Sequence, residues 1–122
     1  HTAPISMMYA MYQGLQNIIE EGHENVLSRH KSAHEFLVSK LTEMNIELLV
    51  DSPSRIPSLN SVIISNGLDD IKIRSTLLNK YNIEIGGGLG PFAGKIWRIG
   101  LMGYAANNNS VLKLCSALKE II

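Results

Sequence analysis

Apolar residues recur at helical spacing in four stretches of the chain, and the segments between them bunch or alternate as strands do. Over residues 4–21, Met8, Met11, Tyr12, Leu15, Ile18 and Ile19 share one face, with Pro4 tolerated in the first turn and Gly22 placed to stop the helix. Met7 and Tyr9 widen that face at its start. Such a methionine-rich surface suits either core filling or packing against another domain or subunit. A second helix is predicted over about 24–44, carrying Val26, Ala33, Leu37, Leu41 and Met44 inward and Arg29, Lys31, Glu35 and Glu43 largely outward. Asp69 or Asp70 can cap a third, with Ile73, Leu77, Leu78 and Tyr81 on its apolar side and Asn82 at its end. Asn107 or Asn109 can cap the last, which carries Val111, Leu114, Cys115, Leu118 and Ile121.

Four short strands are predicted between these helices. Residues 46–50 form the first, and Pro53 and Pro57 keep the connection after it out of regular structure. Residues 59–65, with Val62, Ile63 and Ile64 consecutive, read as a more buried strand that Asn66-Gly67 turns away. The other two are 83–85 and 96–101. The order helix, helix, strand, strand, helix, strand, strand, helix predicts an α+β fold whose small, mostly antiparallel sheet is covered by helices. At 122 residues the chain is expected to be one domain, 1–122.

The stretch 83–103 holds seven of the ten glycines. Glycine lets other groups approach the main chain closely, so this density predicts a shaped loop between two strands. Arg98 follows it, in a half-buried run with Ile96, Ile99 and Leu101, and a guanidinium so placed usually has an anionic partner, either an internal carboxylate or a ligand. Gly88, Gly90 and Ala93 match the spacing of a dinucleotide fingerprint, but that fingerprint must open a helix, whereas Pro91 interrupts it and a strand follows. Gly94-Lys95 is followed by Ile96 where a phosphate loop needs a hydroxyl.

Charge and composition narrow the classes. Eleven basic and eleven acidic residues cancel with no basic block, which argues against a nucleic-acid or membrane surface. No apolar run approaches the twenty residues of a spanning helix. Cys115, the single cysteine, falls on an apolar helical face, which fits a buried thiol in a reducing, intracellular compartment. His30 and His34 lie one turn apart but lack the glutamate and third ligand of a zinc site, so a structural or solvent role is expected and no metal.

Ile83-Glu84-Ile85, Gly87-Gly88-Leu89-Gly90-Pro91, Gly94-Lys95-Ile96-Trp97-Arg98-Ile99-Gly100 and Met102-Gly103 resemble the C-terminal domain of alanine–glyoxylate and serine–pyruvate aminotransferases, class V enzymes of fold-type I that use pyridoxal phosphate. The resemblance extends over the whole chain, including His1-Thr2-Ala3-Pro4. It implies the small C-terminal domain of an enzyme that moves an amino group from alanine or serine to glyoxylate or pyruvate. The large domain, with the lysine that holds the cofactor as a Schiff base, is absent from the chain, so no catalytic residue is expected here and the chain alone should be inactive. Lys95 is not implied to be that lysine.

Two residues carry over by resemblance. Arg98 matches the arginine that takes the substrate's α-carboxylate, and Thr2 matches the threonine that reaches the cofactor phosphate in the neighbouring subunit of a homodimer. The tyrosine that accompanies that threonine would precede His1. Gly86 stands where some relatives carry a bulkier residue. The implied partners are small amino and keto acids, a second subunit and the large domain, and the implied location is peroxisomal or mitochondrial, with the cytoplasm as the alternative. Two other functions stay open: a related class V desulfurase or lyase, and a stand-alone module that binds small carboxylates.

Overall fold

The computed structural model describes residues 2–122, so His1, where the resemblance begins, lies outside the described residues. Two helices open the chain, α1 (Ile5–Glu21) and α2 (His23–Glu43), and Gly22 alone separates them. At φ +86° it adopts a conformation that side chains resist, its N–H closing α1 on Ile18 and its carbonyl accepting from Val26 to start α2. A short 3₁₀ turn at Ser52–Ser54 precedes strand β1 (Leu59–Ile63), and helix α3 (Asp70–Tyr81) follows it. Of the two candidate caps for α3, Asp69 is the one used, accepting from the Lys72 amide at 3.0 Å. Strands β2 (Gly86–Gly87) and β3 (Ile96–Gly100) come next, and helix α4 (Asn108–Ile121) starts at Asn107, whose side chain accepts from the Ser110 amide at 2.9 Å.

The sheet is antiparallel in the order β1-β3-β2, as an α+β fold with a small antiparallel sheet requires. Its register pairs Asn60 with Ile99, Ser61 with Arg98 and Val62 with Trp97, while Gly86 and Gly87 oppose Arg98 and Trp97. Because side chains alternate between faces, Asn60, Val62, Trp97 and Ile99 point to one side of the sheet, and Ser61, Gly86 and Arg98 to the other. The first side is the core. It packs on Leu37 and Leu41 of α2, Ile73 and Leu77 of α3, and Val111, Leu114 and Leu118 of α4. The helices therefore cover one face of the sheet, and Arg98 belongs to the other.

Three predicted strands are shorter or displaced. Residues 46–50 pair with β1 around a single bridge between Leu48 and Val62, the Leu49 amide donating to the Ser61 carbonyl at 2.9 Å and the Ile63 amide to the Glu47 carbonyl at 2.8 Å. At 83–85 no ladder forms. Asn82 is left-handed at φ 53° and the Ile83 amide still bonds back to the Leu77 carbonyl, so these residues finish α3 and pairing begins at Gly86. Predicted strand 59–65 ends as a ladder at Ile63, though the Ile64 amide reaches the Lys95 carbonyl at 2.9 Å.

The helices divide as sharply as the sheet faces. In α4, Val111, Leu114, Cys115, Ala117 and Leu118 are buried, and burial raises the Cys115 thiol above its ordinary pKa. None of the 17 residues of α1 is buried. Leu78, predicted on the apolar side of α3, is exposed as well. Among the described residues, no helix is long and apolar enough to cross a membrane.

Candidate functional site

Arg98 sits in the middle of β3, the central strand, on the face that the helices leave open. Its side chain is half-buried and lies across the neighbouring strand, where its Nε donates to the Gly87 carbonyl at 2.8 Å. That bond fixes the plane of the guanidinium while leaving both terminal nitrogens unspent. Among the described residues no carboxylate comes within ion-pair distance of Arg98, so the internal partner considered from the sequence is absent. A planar fork held by its Nε, with two parallel terminal N–H groups free, is the arrangement that accepts a carboxylate through two bonds.

The glycines explain how the fork comes to lie there. A Cβ placed on Gly86, directly opposite Arg98, would stand 3.3 Å from Arg98 Nη2 and 3.4 Å from Nε. The missing side chain is thus the space that the guanidinium occupies. On the opposite face, a Cβ on Gly87 would stand 3.2 Å from Arg74 Cζ, so a second arginine lies behind the same two-residue strand. Gly88 is the tightest of the three, since a Cβ there would overlap the Phe92 carbonyl. A 3₁₀ turn at Gly90–Phe92 brings that carbonyl in, and Leu89 and Phe92 leave an exposed apolar lip beside the strand.

Behind the sheet, Asp70 gathers the second arginine. Its Oδ1 accepts from Arg74 Nε at 2.7 Å and from Trp97 Nε1 at 3.0 Å, and its Oδ2 accepts from Arg74 Nη2 at 3.1 Å. The Arg74 bonds and then that of Trp97 hold the Asp70 carboxyl below its ordinary pKa against the opposing effect of burial. Trp97 is 1% exposed and is the strand neighbour of Arg98. From the sequence, Asp70 is an alternative cap and nothing singles out Arg74. The only signal was their spacing of four residues on a helix.

Thr2 stands exposed in the segment ahead of α1, and Lys95 is exposed just before β3. His30 and His34 are tied into the fold separately. His30 Nδ1 donates to the Val26 carbonyl at 2.7 Å and its Nε2 accepts from the Gly103 amide at 3.1 Å, while His34 Nδ1 donates to Oδ1 of buried Asn60 at 2.6 Å. Arg29, expected on a solvated face, is instead a clamp. It holds both oxygens of Glu21 and donates Nη1 to the carbonyls of Gly103 and Ala106, at 2.8 and 2.9 Å. This pins the turn that follows β3, from which Tyr104 projects 97% exposed. Two concavities open beside that turn, one towards α1 and one towards the start of α4, and Arg98 lines neither.

No protein-family model matches the chain. It is 35% identical, over its whole length, to 29% of the (S)-ureidoglycine–glyoxylate transaminase of Bacillus subtilis. It is 37% identical, again over its whole length, to 30% of the alanine–glyoxylate aminotransferase of Callithrix jacchus. The crystal structure of an alanine–glyoxylate aminotransferase from Nostoc sp. superposes on 99% of the chain with a TM-score of 0.94 at 42% identity, using 32% of that protein. The chain thus spans about a third of the length of the relatives it matches, and the match is to their C-terminal domain.

Proposed function

We propose that this chain, a homologue over its whole length of the C-terminal domain of glyoxylate aminotransferases, supplies the substrate-carboxylate clamp of such an enzyme through Arg98. One observation carries the proposal: a guanidinium on the open sheet face, aimed by its Nε bond to Gly87 and lacking any carboxylate among the described residues. Every amino acid and keto acid of a transamination presents the same α-carboxylate. One fixed arginine therefore anchors both half-reactions and orients the bonds at Cα, which lysine, a point charge without the fork, would do less well.

The whole protein is proposed to move an amino group from alanine or serine to glyoxylate or pyruvate, with pyridoxal phosphate supplying the electron sink when bound. Thr2, exposed ahead of α1, is the residue of this chain proposed to reach the cofactor phosphate across a homodimer, and the lysine and the pyridine partner are proposed to lie in the large domain. The chain by itself should release no keto acid from an amino donor mixed with the cofactor. No observation favours the desulfurase or lyase alternative or the stand-alone module, whereas relatives at 35–42% identity bear transaminase names. An intracellular location fits the buried, unpaired Cys115.

Steady-state kinetics of the full-length protein test the clamp. Removing a charge-paired contact in a partly dry site typically costs on the order of 2–5 kcal/mol, so Arg98→Ala should lower kcat/KM by roughly 30-fold or more and Arg98→Lys should restore only part. Cofactor affinity should hold. Unchanged amino-acid kinetics, or a loss that falls chiefly on the cofactor, would make Arg98 a structural residue. Mixed dimers test Thr2: Thr2→Ala should weaken cofactor binding in the partner's site, and weakening confined to its own chain's large domain would refute the assignment across the interface.

A further inference from the structure

β2 is a strand of two glycines, with no side chain to hold it in place. Its position nevertheless matters, because the Gly87 carbonyl is what aims Arg98. Ladder bonds to β3 set its distance from the central strand but resist rocking about that edge poorly. Its two faces are each filled by an arginine. Arg98 lies against Gly86 on one side, and the Arg74 guanidinium lies against Gly87 on the other, within 3.2–3.3 Å of where a Cβ would stand. Arg74 is in turn gripped by Asp70 through two bonds, and Asp70 is anchored to the core by Trp97.

An ordinary ion pair four residues apart on a helix is loose and solvated. This one differs in two respects. The Asp70 side chain is only 14% exposed, and its Oδ1 is shared with an indole that is itself sealed in the core. The strand partner of that indole is Gly87, so one carboxylate holds both the plate behind Gly87 and the residue across from it.

We propose that Arg74, oriented by Asp70, is a positioning residue for Arg98: it is the back wall that seats Gly87 and thereby fixes the carbonyl that sets the plane of the substrate-binding fork. The proposal rests on the carboxylate role of Arg98. A fork gives a carboxylate two parallel bonds in one plane only, so a wall that lets β2 rock weakens substrate recognition without touching the substrate. Asp70 and Arg74 then belong to the specificity of the site for planar carboxylates, although both lie on the opposite side of the sheet.

The experiment uses the full-length, cofactor-loaded protein and reads three quantities for each variant: affinity for glycolate by titration calorimetry, cofactor affinity, and melting temperature. Arg74→Ala should weaken glycolate binding by roughly threefold to tenfold while cofactor affinity stays within about twofold. Arg74→Lys keeps a cation beside Asp70 but loses the flat plate, so it should restore the melting temperature without restoring glycolate affinity. A structural role would make the two properties recover together. Arg98→Ala is the control in parallel. If it abolishes glycolate binding while both Arg74 variants bind normally, the positioning role is wrong and the clamp stands; if Arg98→Ala also binds normally, the clamp and the positioning role fall together.

Discussion

Helices α1 and α4 present nearly the same sequence pattern and meet opposite fates. Each repeats apolar residues at three- and four-residue intervals, yet α4 buries five residues in the core and α1 buries none. In α1, Met8, Met11, Tyr12, Leu15 and Ile18 remain exposed, and its contacts are chiefly with α2. Periodicity states that a face needs a partner. It does not say whether the partner lies in the same domain, so a helix that is apolar and uncovered marks where a larger assembly continues. The difference extends to the ends, since Asn107 caps α4 with its side chain while Pro4 offers α1 no side-chain bond.

Four substitutions in the 122-residue chain, read by thermal or urea unfolding, test that contrast. The largest effect belongs to Leu118→Ala, which empties a fully buried position and should cost about 2–5 kcal/mol. Asn107→Ala removes the cap of α4 and should cost about 1 kcal/mol. In α1, Gly14→Ala should instead raise stability by about 0.5–1 kcal/mol, because a Cβ there meets nothing within 4 Å and alanine is the better helix former. The smallest change is Leu15→Ala, within about 0.5 kcal/mol. A cost at Leu15 that matched the cost at Leu118 would erase the distinction. In the full-length protein the ranking should alter: if α1 forms the proposed subunit contact, replacing Met8, Met11 and Leu15 together by serine should weaken self-association in sedimentation while leaving the melting curve of the 122-residue chain nearly unchanged.

How far the sequence disclosed this molecule depended on the range of each interaction. The four helices follow from local spacing, as does the strand that carries Arg98, while two of the caps are each narrowed to a pair of nearby residues. The strand predicted at 83–85 was lost to a competitor that periodicity does not register, since the end of α3 takes the Ile83 amide. At the candidate site the glycine density was legible as close approach, but not what approaches. That Gly86 makes room for Arg98 and Gly87 for Arg74 depends on a register that pairs residue 86 with 98 and 87 with 97, and on a helix packed behind them. Arg29 was the most misleading residue. Its neighbours in sequence suggested a solvated charge, whereas its acceptors at Gly103 and Ala106 lie 74 and 77 positions away.

Gly88 carries a consequence for how this loop can vary. The Phe92 carbonyl occupies the place where any other residue would put its first carbon, and that obstacle is backbone, which cannot swing aside as a side chain can. If every position from 83 to 103 were randomised and the library screened for folded protein, position 88 should return glycine alone. Position 86, whose obstacle is the far end of an arginine, should admit larger residues wherever selection favours a differently aimed fork. The loop would then evolve as a fixed hinge beside an adjustable seat, and new substrate preferences would reach this domain through the seat.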